Sequence, residues 1–287
     1  YASKNQKNRY LDKLLKGQMI IALGMTEADA GSAVTDLTTT AQPDGEGFRV
    51  TGGKVFTSNS PDADLFLVYV RFGKGIDGIG SVLMDRNMVG FTLGQPSQYM
   101  NGEDWCALYF DDVYIPPENI LLGPGGFKKQ ISGFNAERIG NAARSLAVGE
   151  FAYNLAREHT VTRKQFGRPL CEFQGIQWKF ADMKIQIEAG RLLLYRAAVN
   201  ADRGLPSAED TSIAKAFCNK AGFDICNEAM QVMGGTGYSQ ESLVEYCFRK
   251  SRGWQIAGGS TEMMKNRIAE IVFEQRFSQR PRKVSSS

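Results

Sequence analysis

The sequence predicts an α+β protein, with an antiparallel β-domain over residues 19–122 followed by an antiparallel helical bundle over residues 127–277. Three observations carry this reading. Short strand-like runs give way to long helical ones near Phe127. The helical runs are free of proline and joined by short links, as in a bundle of neighbouring helices. No strand–helix–strand rhythm appears, which argues against a dinucleotide-binding parallel sheet.

In chain order, YASKNQKNRYLDKLLKGQ is polar and helix-like. FRVTGGKVFTSN, DLFLVYVRF and GSVLMD are rich in Val, Phe, Tyr and Thr, and QPDGEG, SPDAD and GKGIDGIG separate them as turns. Parts alternate apolar with polar, as half-buried antiparallel strands do. Helices are predicted over 127–160 and 174–204. A third, over 207–233, has Ser207 three residues before Asp210 as its N-terminal cap, and Gly234 and Gly235 mark its end. A shorter helix is predicted over Glu241–Arg252 and a last one over Thr261–Phe277, before a polar tail over 278–287.

Composition excludes several functions. Of 287 residues 43% are hydrophobic and 23% charged, an ordinary globular balance, and the net charge of +3 offers no electrostatic footprint for nucleic acid. No apolar stretch is long enough to span a bilayer. The five cysteines form no CxxC pair and His159 is the single histidine, so neither a zinc site nor a histidine-based nucleophilic triad is expected. Scattered, odd-numbered cysteines read as reduced core thiols.

Five segments carry candidate chemistry. GMTEADAGS (24–32) combines small residues with the hydroxyls of Thr26 and Ser32, which allows close approach to a planar ligand. In KVFTSN (54–59), Phe56 can stack on a ring and Ser58 can hydrogen-bond it, although a strand Phe more often belongs to the core. RKQFGRPL (163–170) offers the Arg163 guanidinium to a phosphate, or is a solvated basic loop. QVMGGTGY (231–238) places three glycines in four positions after a helix end, more than a helix C-cap needs. IAGGSTE (256–262) then leads into the last helix as a candidate anion or ring-edge site.

Taken in order, GMTEADAGS, GGKVFTSN, YFDDVYIPPENILLG, RKQFG, QVMGGTGY and AGGSTE resemble the acyl-CoA dehydrogenase family, over nearly all of Tyr10–Phe277. The resemblance implies a barrel-like middle domain and a C-terminal four-helix bundle, with residues 1–18 the last turn of an N-terminal helical domain. It implies FAD as a non-covalent cofactor, an acyl-CoA thioester as substrate, and an electron-transfer flavoprotein as electron acceptor. It also implies assembly as a homodimer or dimer of dimers, and a bacterial cytoplasmic or mitochondrial matrix location. Thr26, Ser58 and Phe56 would face the flavin ring. Arg163, Phe166, Gln231, Gly234 and Gly235 would reach the cofactor of a neighbouring subunit, and Gln174 would also bind the cofactor. Ser260 and Glu262 would lie near the cofactor, and Ser32, Asn135, Arg138 and Gly258 near the substrate, with Ser32 also counted among the cofactor contacts.

The chain departs from the family pattern at Ala33, Tyr246, Lys250 and Ala257, and above all at Gly258, where many members carry a glutamate that takes the substrate α-proton. A carboxylate is still required, because the thioester acidifies that proton and a base must accept it. Glu137, in FNAERIG, is the leading candidate by resemblance to isovaleryl-CoA dehydrogenase-like and crotonobetainyl-CoA reductase-like members, and Glu262 is the rival. Gly258→Glu is expected to restore a carboxylate at the commoner position. An enoyl-CoA reductase using the same site, and a non-catalytic flavoprotein or structural subunit, are the alternative readings of the sequence.

Overall fold

The computed structural model describes residues 1–199 and 204–280. The chain divides into two compact units, with the boundary after Ile131.

The first unit opens with a helical run: α1 (Lys4–Gln6), a π-helical segment (Lys7–Leu11) and α2 (Asp12–Leu15). Ser3 Oγ accepts from the Gln6 N–H at 3.2 Å, and Gln6 Oε1 accepts from the Ser3 N–H at 2.9 Å, so two donors left over at the helix start are satisfied reciprocally. Gln6 then donates to the carbonyls of Glu118 and Ile120, and Tyr10 is buried with Leu65 and Leu83, which docks the run on the strands.

Nine strands follow: β1 (Ile21–Gly24), β2 (Thr40–Asp44), β3 (Gly47–Ser58), β4 (Leu65–Arg71), β5 (Ile79–Asp85), β6 (Phe91–Leu93), β7 (Ser97–Gln98), β8 (Asp104–Ile115) and β9 (Ile120–Leu122). They form one sheet in the order β6-β8-β3-β2-β4-β5-β9, with β1 beside β4 and β7 beside β8. Two expectations are corrected here. The sheet is mixed rather than antiparallel, since β1 and β2 both pair parallel with β4. It is also open, with β6 and β9 ending the order, rather than closed into a barrel. The cause lies in β4 and β5, which are buried almost throughout. A strand covered on both faces reads as a continuous apolar run and carries no alternation from which a partner's direction can be inferred. Val50, Phe66, Val68, Val82, Met84, Leu108 and Phe110 form the core beneath it, with Phe66 edge-on to Phe91 at 4.7 Å. Each such side chain contributes about 1.5–3 kcal/mol by burial.

The second unit is helical. Its elements are α3 (Phe127–Thr162), a hairpin of β10 (Lys164–Gln165) and β11 (Arg168–Pro169), α4 (Gln174–Val199), α5 (Ala208–Met233), α6 (Gly235–Tyr238), α7 (Leu243–Trp254) and α8 (Thr261–Val272). α5 packs against α4, α7 and α8. It meets α3 through glycine: a Cβ on Gly222 would lie 2.3 Å from the Ser145 carbonyl oxygen, so only a bare backbone permits this crossing. Ser207 caps α5 as expected, its hydroxyl accepting from the Asp210 N–H, and Gly234 ends the helix with φ +59°. α7 starts at Leu243 rather than Glu241 because Ser242 is its cap. α8 stops at Val272 rather than Phe277, and Glu274 just beyond it has φ +50°. The predicted continuation of α4 through 200–203 and the tail from 281 lie outside the described residues. No described helix is long and apolar enough to cross a membrane.

Candidate functional site

In the first unit, β1 delivers the chain into the 25–33 loop. The Val55 N–H donates to the Thr26 carbonyl at 2.9 Å, tying the loop to β3. The pairing of β3 with β8 slips between Lys54 and Thr57, a bulge that re-aims the strand. Phe56 sits in that bulge with φ +55°, a conformation disfavoured for an aromatic residue, and is 56% exposed. The core reading of Phe56 is thereby excluded. Its ring lies 4.7 Å from that of Trp105, and Trp105 stacks on Tyr99 at 5.9 Å. Tyr99 Oη donates to the Phe56 carbonyl at 2.8 Å, and the Ser58 hydroxyl donates to Tyr99 Oη at 3.4 Å. A strained residue held in place by its neighbours makes this bulge a candidate site. Ser32 is exposed in the 25–33 loop.

Sequence reasoning missed the support beneath this loop. Glu27 is buried and bonded on all sides: Lys54 Nζ donates to it at 2.7 Å, the Thr38 N–H and hydroxyl at 2.6 and 2.7 Å, and the Thr39 N–H at 3.0 Å. Burial raises the Glu27 pKa, but the bonds from Lys54, Thr38 and Thr39 and the Lys54 charge outweigh it and bring it to about 2. A cavity of about 260 Å³ opens beside the pair, lined by Ala28, Asp29, Val55 and Tyr109 among others. The available signal was a lysine at an inward-facing position of β3.

In the second unit, Glu137, Arg138, Gly258 and Gly259 converge. α3 presents Glu137 and Arg138, and the 254–260 loop faces them with Gly258 and Gly259 at φ +68° and +91°. A Cβ on Gly258 would lie 2.8 Å from Glu137 Oε2, so the carboxylate rests against bare backbone. The Glu137 side chain is 41% exposed, and Arg144 approaches it at 3.8 Å. Gly258→Glu is therefore no simple restoration: a side chain at 258 displaces the Glu137 carboxylate from its present position and is strained by the left-handed φ.

Burial lowers the Arg138 pKa and Arg267 lowers it further, while Glu137 opposes both. Arg138 Nη1 donates to Asn135 Oδ1 at 3.0 Å, and its buried Nε has no hydrogen-bond partner. Asn135 is itself buried, with its amide donating to the Pro206 carbonyl at 3.0 Å, so it orients Arg138. Ser260 caps α8, and Glu262 is exposed in its first turn, its pKa lowered by its own backbone N–H and by Ser260. Lys215, also missed in the sequence, is buried on α5 and donates to the carbonyls of Gly259 and Trp254 at 2.9 and 3.2 Å.

Other expected residues lie elsewhere in this unit. Phe166 turns the β10–β11 hairpin with φ +52° and is 94% exposed, Arg163 precedes that hairpin, and Gln174 opens α4. Thr162 is roughly 38 Å along α3 from Glu137, and Gln231 roughly 24 Å along α5 from Lys215, at about 1.5 Å per residue. The glycine cluster has a partly structural explanation. Gly234 is left-handed at the C-cap, and Gly237 is pressed against Met233 and Met230, whereas nothing restricts a side chain at Gly235. Among the described residues no group of three or more His, Cys, Asp or Glu could hold a metal ion.

Two family models match the chain: acyl-CoA dehydrogenase, middle domain, over residues 22–113, and acyl-CoA dehydrogenase, C-terminal domain, over residues 124–273. The short-chain specific acyl-CoA dehydrogenase of Clostridium acetobutylicum is 34% identical over 278 residues, covering 95% of this chain and 73% of that protein. The butyryl-CoA dehydrogenase structure from Megasphaera elsdenii aligns with a TM-score of 0.90 at 34% identity, over 94% of this chain and 72% of that one. A chain in the structure reported for the electron transferring flavoprotein of Acidaminococcus fermentans aligns with a TM-score of 0.91 at 32% identity, over 95% of this chain and 73% of that one.

Proposed function

Because the chain belongs to the acyl-CoA dehydrogenase family, we propose that it carries out FAD-dependent α,β-dehydrogenation of an acyl-CoA thioester, with Glu137 as the base. The observation that carries this is the contact between the Glu137 carboxylate and the left-handed backbone of Gly258. The loop position that would otherwise present a carboxylate is bare, and a carboxylate from α3 sits directly against it.

The chemistry assigned to this chain's residues is limited and specific. Glu137 accepts the α-proton of the bound thioester. Arg138 stands beside it as a fixed, half-buried positive charge whose orientation is set by Asn135. The paired glycines keep the loop backbone open to close approach. FAD, when bound, supplies the acceptor for the β-hydride. The first unit fits such a group: a strained, outward-turned Phe56 backed by Trp105 and Tyr99 offers an aromatic surface for a flat ring, and Thr26 and Ser58 offer hydroxyls to its edge. Ser260 and Glu262 are assigned to the cofactor, and Ser32 to the cofactor and the CoA moiety.

Arg163, Phe166, Gln174, Gln231, Gly234 and Gly235 are assigned to the cofactor of a second copy. The separation of the Arg163 end of α3 from Glu137, and of Gln231 from Lys215 along α5, supports this, since one copy presents these groups at well-separated places. A homodimer or dimer of dimers is also supported by α4, where Trp178, Ile185, Leu192 and Val199 are exposed at seven-residue spacing, with Tyr195 beside them. Such a stripe is the pattern of a helix seam. An electron-transfer flavoprotein is the proposed acceptor, and a bacterial cytoplasm or mitochondrial matrix the proposed compartment.

Anaerobic addition of a panel of saturated acyl-CoA thioesters to the flavin-loaded protein tests the reading. Flavin absorbance should bleach with at least one of them. Glu137→Gln, nearly isosteric, should retain FAD and slow the bleaching by at least about a hundredfold. Bleaching at the unaltered rate in that variant would remove Glu137 from the mechanism and turn attention to Glu262.

A further inference from the structure

Lys215 lies on the face of α5 that also buries Ala214, Cys218, Gly222 and Ile225. A buried ammonium is costly and is seldom found without strong partners. Its hydrogen-bond partners here are two carbonyls, Trp254 at 3.2 Å and Gly259 at 2.9 Å, which bracket the loop carrying Gly258. Asn219, one turn further along α5, donates to the same Trp254 carbonyl at 2.7 Å and to Asn141 Oδ1 at 2.9 Å. The Thr261 N–H donates to the Gln255 carbonyl at 3.0 Å, closing the loop on itself. Burial pushes the Lys215 pKa down to about 8, while the Glu137 charge draws it up and Arg138 lowers it. A methionine would fill the same volume without the cost of a buried charge, so the ammonium calls for a role beyond packing.

We propose that Lys215 is a positioning residue for the catalytic loop: its ammonium ties the Trp254 and Gly259 carbonyls together and so holds Gly258 against the Glu137 carboxylate. Asn219 and Thr261 bond this loop through neutral donors, whereas the Lys215 ammonium bonds carbonyls at both ends of the segment that contains Gly258. This inference rests on Glu137 as the base, and its test separates the two.

Lys215→Met and Lys215→Arg would be made in the full chain. Hydrogen exchange is followed with and without FAD, and flavin reduction by saturating acyl-CoA is followed in the loaded protein. In Lys215→Met, amides over 256–260 should exchange faster by about tenfold or more, the equivalent of one lost charge-assisted hydrogen bond. The reduction rate should fall about 10- to 100-fold, the effect of a displacement of up to about 1 Å, with little change in acyl-CoA affinity. Lys215→Arg should recover most of both. If Lys215→Met does not fold, Lys215→Gln, which keeps one amide donor, carries the same readings. Unchanged loop protection overturns the proposal. So does protection lost equally from all helices, which would make Lys215 a support of the bundle only. Faster loop exchange in Lys215→Met, together with a Glu137→Gln variant that reduces flavin normally, would uphold the clamp and refute the base.

Discussion

Gly258→Ala is a small change whose consequence can be worked from the geometry. The residue has φ +68°, and its added Cβ would lie 2.8 Å from Glu137 Oε2. An ordinary carbon–oxygen approach is about 3.3 Å or more, so the carboxylate must withdraw by about half an ångström. Since a displacement of about 1 Å can cost about a hundredfold in rate, a drop of about tenfold in flavin reduction is expected. The left-handed backbone adds about 1 kcal/mol of strain, or about 2–4 °C in melting temperature for a unit of this size. Gly259→Ala is the matched control. Its φ of +91° imposes similar strain, but its Cβ would meet Met264 Cε at 2.9 Å, the tip of a flexible side chain, and would remain 3.8 Å from Arg138 Nη2. Both variants should therefore melt lower by a similar amount, while Gly258→Ala alone loses rate in anaerobic stopped flow. Equal rates for the two, or an unaltered rate for Gly258→Ala, would refute the claim that the Glu137–Gly258 contact sets the base.

Two further outcomes follow from other parts of the molecule. Glu27→Gln leaves the Lys54 ammonium buried without its counter-charge and should destabilise the first unit by about 3–5 kcal/mol in denaturant unfolding. Because the folded Glu27 pKa is lowered to about 2 from an ordinary 4.5, its stabilisation is fully present above pH 4.5 and is lost as pH falls toward 2. The acid limb of a stability–pH curve should therefore flatten in Glu27→Gln. On α4, Leu192→Glu places a charge in the exposed apolar stripe and should shift the assembly toward monomer in sedimentation, with loss of retained FAD; an unchanged sedimentation coefficient would exclude that stripe as the seam.

Much of the second unit was legible because helix signals are local. The Ser207 cap, the glycine stop at Gly234 and the long proline-free runs lie within a few residues of what they specify. The first unit was less so, since partner choice in a sheet is non-local. Nothing near Leu65–Arg71 announces two parallel neighbours, and burial on both faces erases the alternation that would have helped. Glu137, Arg138 and Gly258 were identifiable by resemblance, but the steric exclusion between 137 and 258 required coordinates. Trp105 and Tyr99 escaped notice because they reach Phe56 only through strand pairing and a bulge. Lys215 and Glu27 escaped for a different reason: a charged residue is read as surface by default, and only its phase on a buried stripe or inward strand face says otherwise.

The 2.8 Å between Glu137 and a side chain at 258 also constrains the routes by which this site can change. With the loop folded as it is here, a carboxylate gained at 258 while Glu137 remains displaces the Glu137 carboxylate and presses two like charges together on a strained backbone. The less costly routes pass through a stage with neither carboxylate, or begin with a loop change that brings residue 258 out of the left-handed region. In a library that varies 137, 258 and 259 together, selected sequences should therefore fall into two groups, with carboxylates at 137 and 258 excluding one another.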